Sequence, residues 1–112
     1  MAVKQLSVFV ENKPGRLSEI ISAIGDNGLD IRGMSLSDTT NFGILRVIVD
    51  DPEKGEKALT DSGMTASVTE VIAVGIADRP GGLSEVLKLL NSENISVEYV
   101  YAFISREIKT AY

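Results

Sequence analysis

The sequence predicts an α+β protein made of two tandem βαββαβ units, the second of them incomplete. Three observations predict this. The chain matches itself at a fixed shift. Each copy opens with apolar residues at the strand period and continues with apolar residues at the helix period. Turn-forming residues separate the segments.

A shift of 66 residues, which sets Pro80 on Pro14, aligns the chain with itself without a gap. Glu11-Asn12-Lys13-Pro14-Gly15-Arg16-Leu17-Ser18-Glu19-Ile20 falls on Ala77-Asp78-Arg79-Pro80-Gly81-Gly82-Leu83-Ser84-Glu85-Val86. Pro, Gly, Leu, Ser and Glu are identical, and the Asn/Asp, Lys/Arg and Ile/Val exchanges are conservative. Leu6, Val8 and Val10 fall on Ile72, Val74 and Ile76, and Leu29-Asp30-Ile31 falls on Ile95-Ser96-Val97. A continuous match with one hydrophobic pattern marks an internal duplication.

Leu6, Val8 and Val10 alternate with Ser7 and Phe9, as in a strand with one buried face. Leu17, Ile20, Ile21 and Ile24 stand at i, i+3, i+4 and i+7, one apolar stripe of a helix, and Leu83, Val86, Leu87 and Leu90 repeat it. Asp26-Asn27-Gly28 suits a left-handed helix end. A second strand is expected over about 29–37, a turn at Asp38-Thr39-Thr40-Asn41, and a third strand over about 42–49. Asp51 as N-cap with Pro52 in the first turn starts a short helix that carries Gly55 and ends near Gly63. A fourth strand over about 65–70 completes the ferredoxin-like order. The units are thus 1–70 and 71–112. By the shift, Tyr112 falls on Arg46, so the second unit is expected to hold βαβ and the start of a third strand. Tyr99, Tyr101 and Phe103 alternate on its expected second strand. Met34 and Met64 read as core fillers. On the third strand, Leu45, Val47 and Val49 face one way while Ile44 and Ile48 face the other, beside Arg46. Apolar residues on both faces predict a sheet-to-sheet homodimer.

Composition narrows the function. Of 112 residues, none is Cys or His. That removes the thiolate nucleophile, the Cys or His metal site and the commonest general base near neutral pH. No cofactor and no metal are expected, and Asp50-Asp51 with Glu53 read as a helix cap with an acidic first turn. Net charge is −5, with Lys and Arg scattered singly, which argues against nucleic acid. No apolar run reaches the ~18 residues of a membrane span. The N-terminal residues 1–5 lack the apolar core of a secretory signal, which points to a cytoplasmic location.

The segment that could carry function is Asn12-Lys13-Pro14-Gly15-Arg16-Leu17, with its copy Asp78-Arg79-Pro80-Gly81-Gly82-Leu83. It joins the first strand to the first helix. A helix N-terminus presents unpaired N–H groups and a partial positive charge that can hold a carboxylate or phosphate. Glycine lets a ligand approach the main chain. Asn12 or Asp78 would add a directed hydrogen bond, and Arg16 or Arg79 a cation. The alternative is a tight turn that needs Pro and Gly for shape alone.

A strand, then Asn-x-Pro-Gly-x-Leu, an amphipathic helix and Gly-Leu-Asp-Ile opening a second strand, all within a duplicated unit, resembles the ACT domain. The resemblance covers essentially the whole chain and is strongest to stand-alone tandem ACT proteins with no attached enzyme. It implies regulatory, allosteric binding of a small ligand, usually an amino acid, and no catalysis. It also implies that units pair side by side into one continuous sheet. The ligand would then sit between the loop before the first helix of one unit and the start of the second strand of its neighbour. The family's second polar position is held here by Asp30, next to Ile31, and in the copy by Ser96, next to Val97. Asp30 would suit a ligand ammonium group, whereas Asp78 would repel a carboxylate. The partners implied are an amino acid, a second copy of the chain and an enzyme of amino-acid metabolism. Two alternatives stand beside this reading: a structural oligomerisation module without a working ligand site, and an acylphosphatase-like enzyme using Arg16 and Asn12.

Overall fold

The computed structural model describes residues 2–38, 42–76, 79–102, 104–105 and 110–111. It forms two compact units, Ala2–Ile72 and Ala73–Tyr112. The expected turn residues Thr39, Thr40 and Asn41 lie outside the described residues, as do Asp78 and Phe103.

In the first unit β1 (Ala2–Glu11), α1 (Arg16–Asp26), β2 (Ile31–Asp38), β3 (Phe42–Val49), α2 (Pro52–Asp61) and β4 (Ala66–Ile72) follow in the βαββαβ order. The sheet order is β2-β3-β1-β4, antiparallel throughout. Alternation decides which side each strand buries. Leu6, Val8 and Val10 of β1 and Leu45, Val47 and Val49 of β3 turn inward, and Leu6↔Val47 and Val8↔Leu45 face each other across the ladder. Ile20 and Ile24 of α1, Leu59 of α2 and Leu29 complete the core, with Leu17, Ile21, Ile31, Met64, Ala66 and Val68 packed around it. On the opposite face Ile44, Arg46 and Ile48 are half-buried, and Phe9 stacks on Phe42 with ring centroids 4.5 Å apart.

Each helix end has a local cause. The Asp51 carboxylate caps α2 by accepting the Lys54 N–H at 3.2 Å, with Pro52 at the first helical position. Lys4 of β1 pairs with Glu53 in the first turn of α2. The Lys4 hydrogen bond, followed by a backbone hydrogen bond to Glu53 and the Lys4 charge, holds the Glu53 carboxyl below its ordinary range. Gly55 is buried where α2 crosses the sheet. An added Cβ there would stand 2.7 Å from Leu6 Cδ1. On β4 the Glu56 carboxylate of α2 accepts the Val68 backbone N–H at 3.0 Å. Glu56→Ala is expected to speed hydrogen exchange at the Val68 amide severalfold while leaving Val71 unchanged, since the substitution removes an acceptor from one edge position only.

The second unit repeats the first where it contains the same residues. Gly15 and Gly81 both take φ 86°, and Asn94 takes φ 61° at the place of Gly28 with φ 72°. Glu19 N donates to Gly15 O at 3.0 Å, and Glu85 N to Gly81 O at 3.1 Å. Leu29 N donates to Ile24 O at 3.2 Å, and Ile95 N to Leu90 O at 3.0 Å. α3 (Gly82–Ser92) is therefore the copy of α1.

Beyond these turns the second unit departs from the sequence expectation. Ile72, Val74 and Ile76 do not form its first strand: Ile72 belongs to β4, where it pairs with Ala2, and Ile76 makes only an isolated bridge. The first residue of the alternating run is taken by the first unit, whose ladder offers it a partner in Ala2. Residues 95–102, including Tyr99 and Tyr101, are not in a strand. The described strands of this unit are the two-residue β5 (Ile104–Ser105) and β6 (Thr110–Ala111), which pair with each other. A strand needs a ladder, and among the described residues 95–102 belong to none. Met34 also differs from expectation. It is 43% exposed on the helix-bearing face of edge strand β2, beyond the reach of the core, whereas Met64 is packed against it.

Candidate functional site

The loop between β1 and α1 is built by its own backbone. Lys13 N donates to Glu11 O at 2.8 Å and Arg16 N to Lys13 O at 3.3 Å, and Gly15 in the left-handed region turns the chain into the helix. Because Gly15 occupies the cap, no side-chain oxygen caps α1. Gly81 leaves α3 in the same condition, in contrast to α2 with its Asp51 cap. In both copies of the motif the first helical N–H, of Arg16 or Gly82, donates to a loop carbonyl and no side chain caps the turn, whereas in α2 the Asp51 carboxylate takes the Lys54 N–H. Asn12, Lys13 and Pro14 are exposed, Arg16 is half-buried, and Leu17 packs against the core.

Charge surrounds this loop in pairs. The Arg16 guanidinium lies 3.2 Å from a Glu19 carboxylate oxygen and 3.9 Å from one of Glu11, while Lys13 lies 3.2 Å from Glu11. In the copy Arg16 is replaced by Gly82, and Arg79 reaches Glu85 at 2.7 Å instead. The first-turn glutamate is therefore paired in both units, by cations from different positions. Sequence reasoning passed over Glu19 and Glu85, although their identity in the repeat was visible.

The second half of the expected site lies elsewhere. Asp30 is exposed, its N–H donates to Asp50 Oδ1 at 3.1 Å, and Ile31 packs on the core. The ladder places the two halves at opposite ends of the sheet. Glu11, next to the loop, pairs with Phe42 at one end of β3, and Ile31 pairs with Val49 at the other. Seven steps along a strand of ~3.4 Å each separate these ends by about 24 Å. One unit thus does not bring residues 12–17 together with Asp30 and Ile31. In the second unit Pro80 and Ser96 are exposed, Gly82 is buried, and Leu83 and Val97 are each 46% exposed.

Depressions among the described residues of the first unit include two beside α1. One, of about 140 Å³, is bounded by the end of β1, the start of α1 and the turn before β4. Arg16, Glu11, Glu19 and Ser62 supply its polar lining, and Val10, Ile20 and Met64 its apolar lining. A wider groove of about 490 Å³ runs along α1 past Ser18, Ser22, Asp26 and Asn27. Among the described residues no cluster of carboxylates could hold a metal ion, and no helix is long and apolar enough to cross a membrane.

Comparison with known proteins places this architecture. No curated protein matches the chain. Among solved structures, a protein from Bacteroides thetaiotaomicron is 37% identical, with a TM-score of 0.90 over 99% of this chain and 76% of that one. The ligand-free regulatory subunit of aspartate kinase from Thermus thermophilus shares the fold, with a TM-score of 0.65 at 12% identity over 99% of this chain and 83% of that one. A protein from Galdieria sulphuraria does so with a TM-score of 0.56 at 14% identity, over 99% and 77%. The family model described as ACT domain pair matches residues 1–108, and the chain belongs to that family.

Proposed function

We propose that this chain is a regulatory, non-catalytic module that binds an amino acid between units. The β1–α1 loop of one unit would hold the carboxylate. Asp30, at the start of β2 in a neighbouring unit, would receive the ammonium group. The observation that supports the reading is the separation of residues 12–17 from Asp30 by the length of one sheet, as expected of a site that a neighbouring unit completes. The uncapped N-termini of α1 and α3 support the carboxylate half, since such an end favours an anion. Membership of the ACT domain pair family supports a regulatory role. The partner subunit is a second copy of the chain, and the half-buried apolar residues Ile44 and Ile48 on the face opposite the helices suit such an assembly. Any effect on an enzyme of amino-acid metabolism would pass through contact with that enzyme, in the cytoplasm. Binding would act by favouring one arrangement of the units over another.

A thermal-shift screen against the twenty amino acids tests the reading. A ligand at ~100 times its dissociation constant adds about 2.7 kcal/mol, a rise of several degrees for a domain of this size. Asn12→Ala and Asp30→Ala are each expected to abolish the shift. A flat screen on a folded protein would favour the structural oligomerisation module instead.

A further inference from the structure

We propose that the 140 Å³ depression of the first unit is a second, self-contained site for a small zwitterion, an amino acid of the size of glycine or alanine. It rests on the amino-acid reading above for its ligand class and on the geometry of one unit for everything else. All its walls come from Ala2–Ile72: the end of β1, the first turn of α1, and Ser62, Gly63, Met64 and Thr65 ahead of and at the start of β4. It therefore needs neither a neighbouring unit nor Asp30.

The polar lining alternates in sign. One guanidinium, Arg16, stands between two carboxylates, Glu11 and Glu19. A zwitterion presents the complementary pair, a carboxylate for Arg16 and an ammonium for Glu19 or Glu11, and its α-carbon would face Val10, Ile20 and Met64. The pairs already present do not close the site. The side chains involved are 43–54% exposed, and exposed ion pairs hold weakly, so a ligand that offers a bidentate partner for the guanidinium can displace them. The depression is small, about 140 Å³, which favours a compact ligand such as glycine or alanine. The charge frame is particular to this unit, because the place of Arg16 in the copy is Gly82.

Isothermal titration of the whole chain with glycine and L-alanine tests the proposal. Both are expected to bind, and L-leucine is not expected to compete for this site. N-Acetylglycine, lacking the ammonium, and glycinamide, lacking the carboxylate, are expected to bind on the order of tenfold or more weakly. Ser62→Leu, which fills the cavity, and Glu19→Gln, which keeps the shape but removes a charge, are each expected to weaken glycine by a similar factor. Asp30→Ala is expected to leave it unchanged. Glycine binding that survives Ser62→Leu and Glu19→Gln but is lost in Asp30→Ala overturns this site and upholds the inter-unit one. Loss in Ser62→Leu with indifference to Asp30→Ala upholds this site as one separate from the inter-unit site. No binding of glycine or alanine overturns the proposal outright.

Discussion

Leu6→Ala is expected to lower the unfolding free energy by about 3–5 kcal/mol, the upper half of the range for a buried leucine. Leu6 is fully buried on β1, a strand with neighbours on both sides, where it faces Val47 of β3 and Val68 of β4. The cavity left by its removal is bounded by hydrogen-bonded backbone in the sheet and by α2 above, where an added Cβ at Gly55 would stand 2.7 Å from the leucine methyl. Walls of that kind collapse little, and the cost of truncation rises with the void that remains. Urea unfolding should show a lower midpoint at an unchanged slope. A loss under 1 kcal/mol would mean that α2 settles onto the sheet.

Gly55→Val is expected to cost about 2–3 kcal/mol, the reverse of what helix propensity alone would give. Propensity favours replacement of a mid-helix glycine by up to ~1 kcal/mol. Against it, the new Cβ would sit 2.7 Å from Leu6 Cδ1 and 3.4 Å from Leu29 Cδ1, and overpacking of a closed core costs typically 1–3 kcal/mol before the extra methyls of valine are counted. Leu6 and Leu29 are both buried, so neither can swing away into solvent. The two sites are coupled. In the Leu6→Ala background a methyl at position 55 enters the vacated space, so Gly55→Ala there is expected to be neutral or stabilising. A double-mutant cycle should return an interaction of about 1 kcal/mol or more. Strict additivity would mean that the helix and strand do not touch at this point in solution.

The first unit was largely legible because every level of its sequence agrees. Phe42–Val49 forms the strand that its alternation predicted, Asp51 caps α2, and Gly28 takes the left-handed end expected of it. The second unit was less so, because a run such as Ile72, Val74 and Ile76 carries the strand period without naming its partner. The chain spends Ile72 on extending β4 against Ala2. Met34 was misread for a similar reason: periodicity gives the face of a strand but not its position in the sheet, and edge strand β2 reaches past the helices. At the site, the Pro-Gly loop could be read directly. That its two halves stand at opposite ends of one unit could not, since this follows from strand order. The cation that pairs with Glu19 or Glu85 was hidden because it moves from position 16 in one copy to 79 in the other.

The Glu56 carboxylate on the Val68 amide bears on the growth of assemblies. A sheet with two receptive rims can add copies at both and extend into a fibre, whereas one with a single receptive rim pairs once, about a twofold axis, and stops. In the first unit the rim at β4 has an amide already engaged from within, while β2 has β3 as its one strand neighbour in the sheet of this unit. One outward amide of the β4 rim is thus occupied by the subunit's own glutamate, and any strand added at that rim would have to displace it.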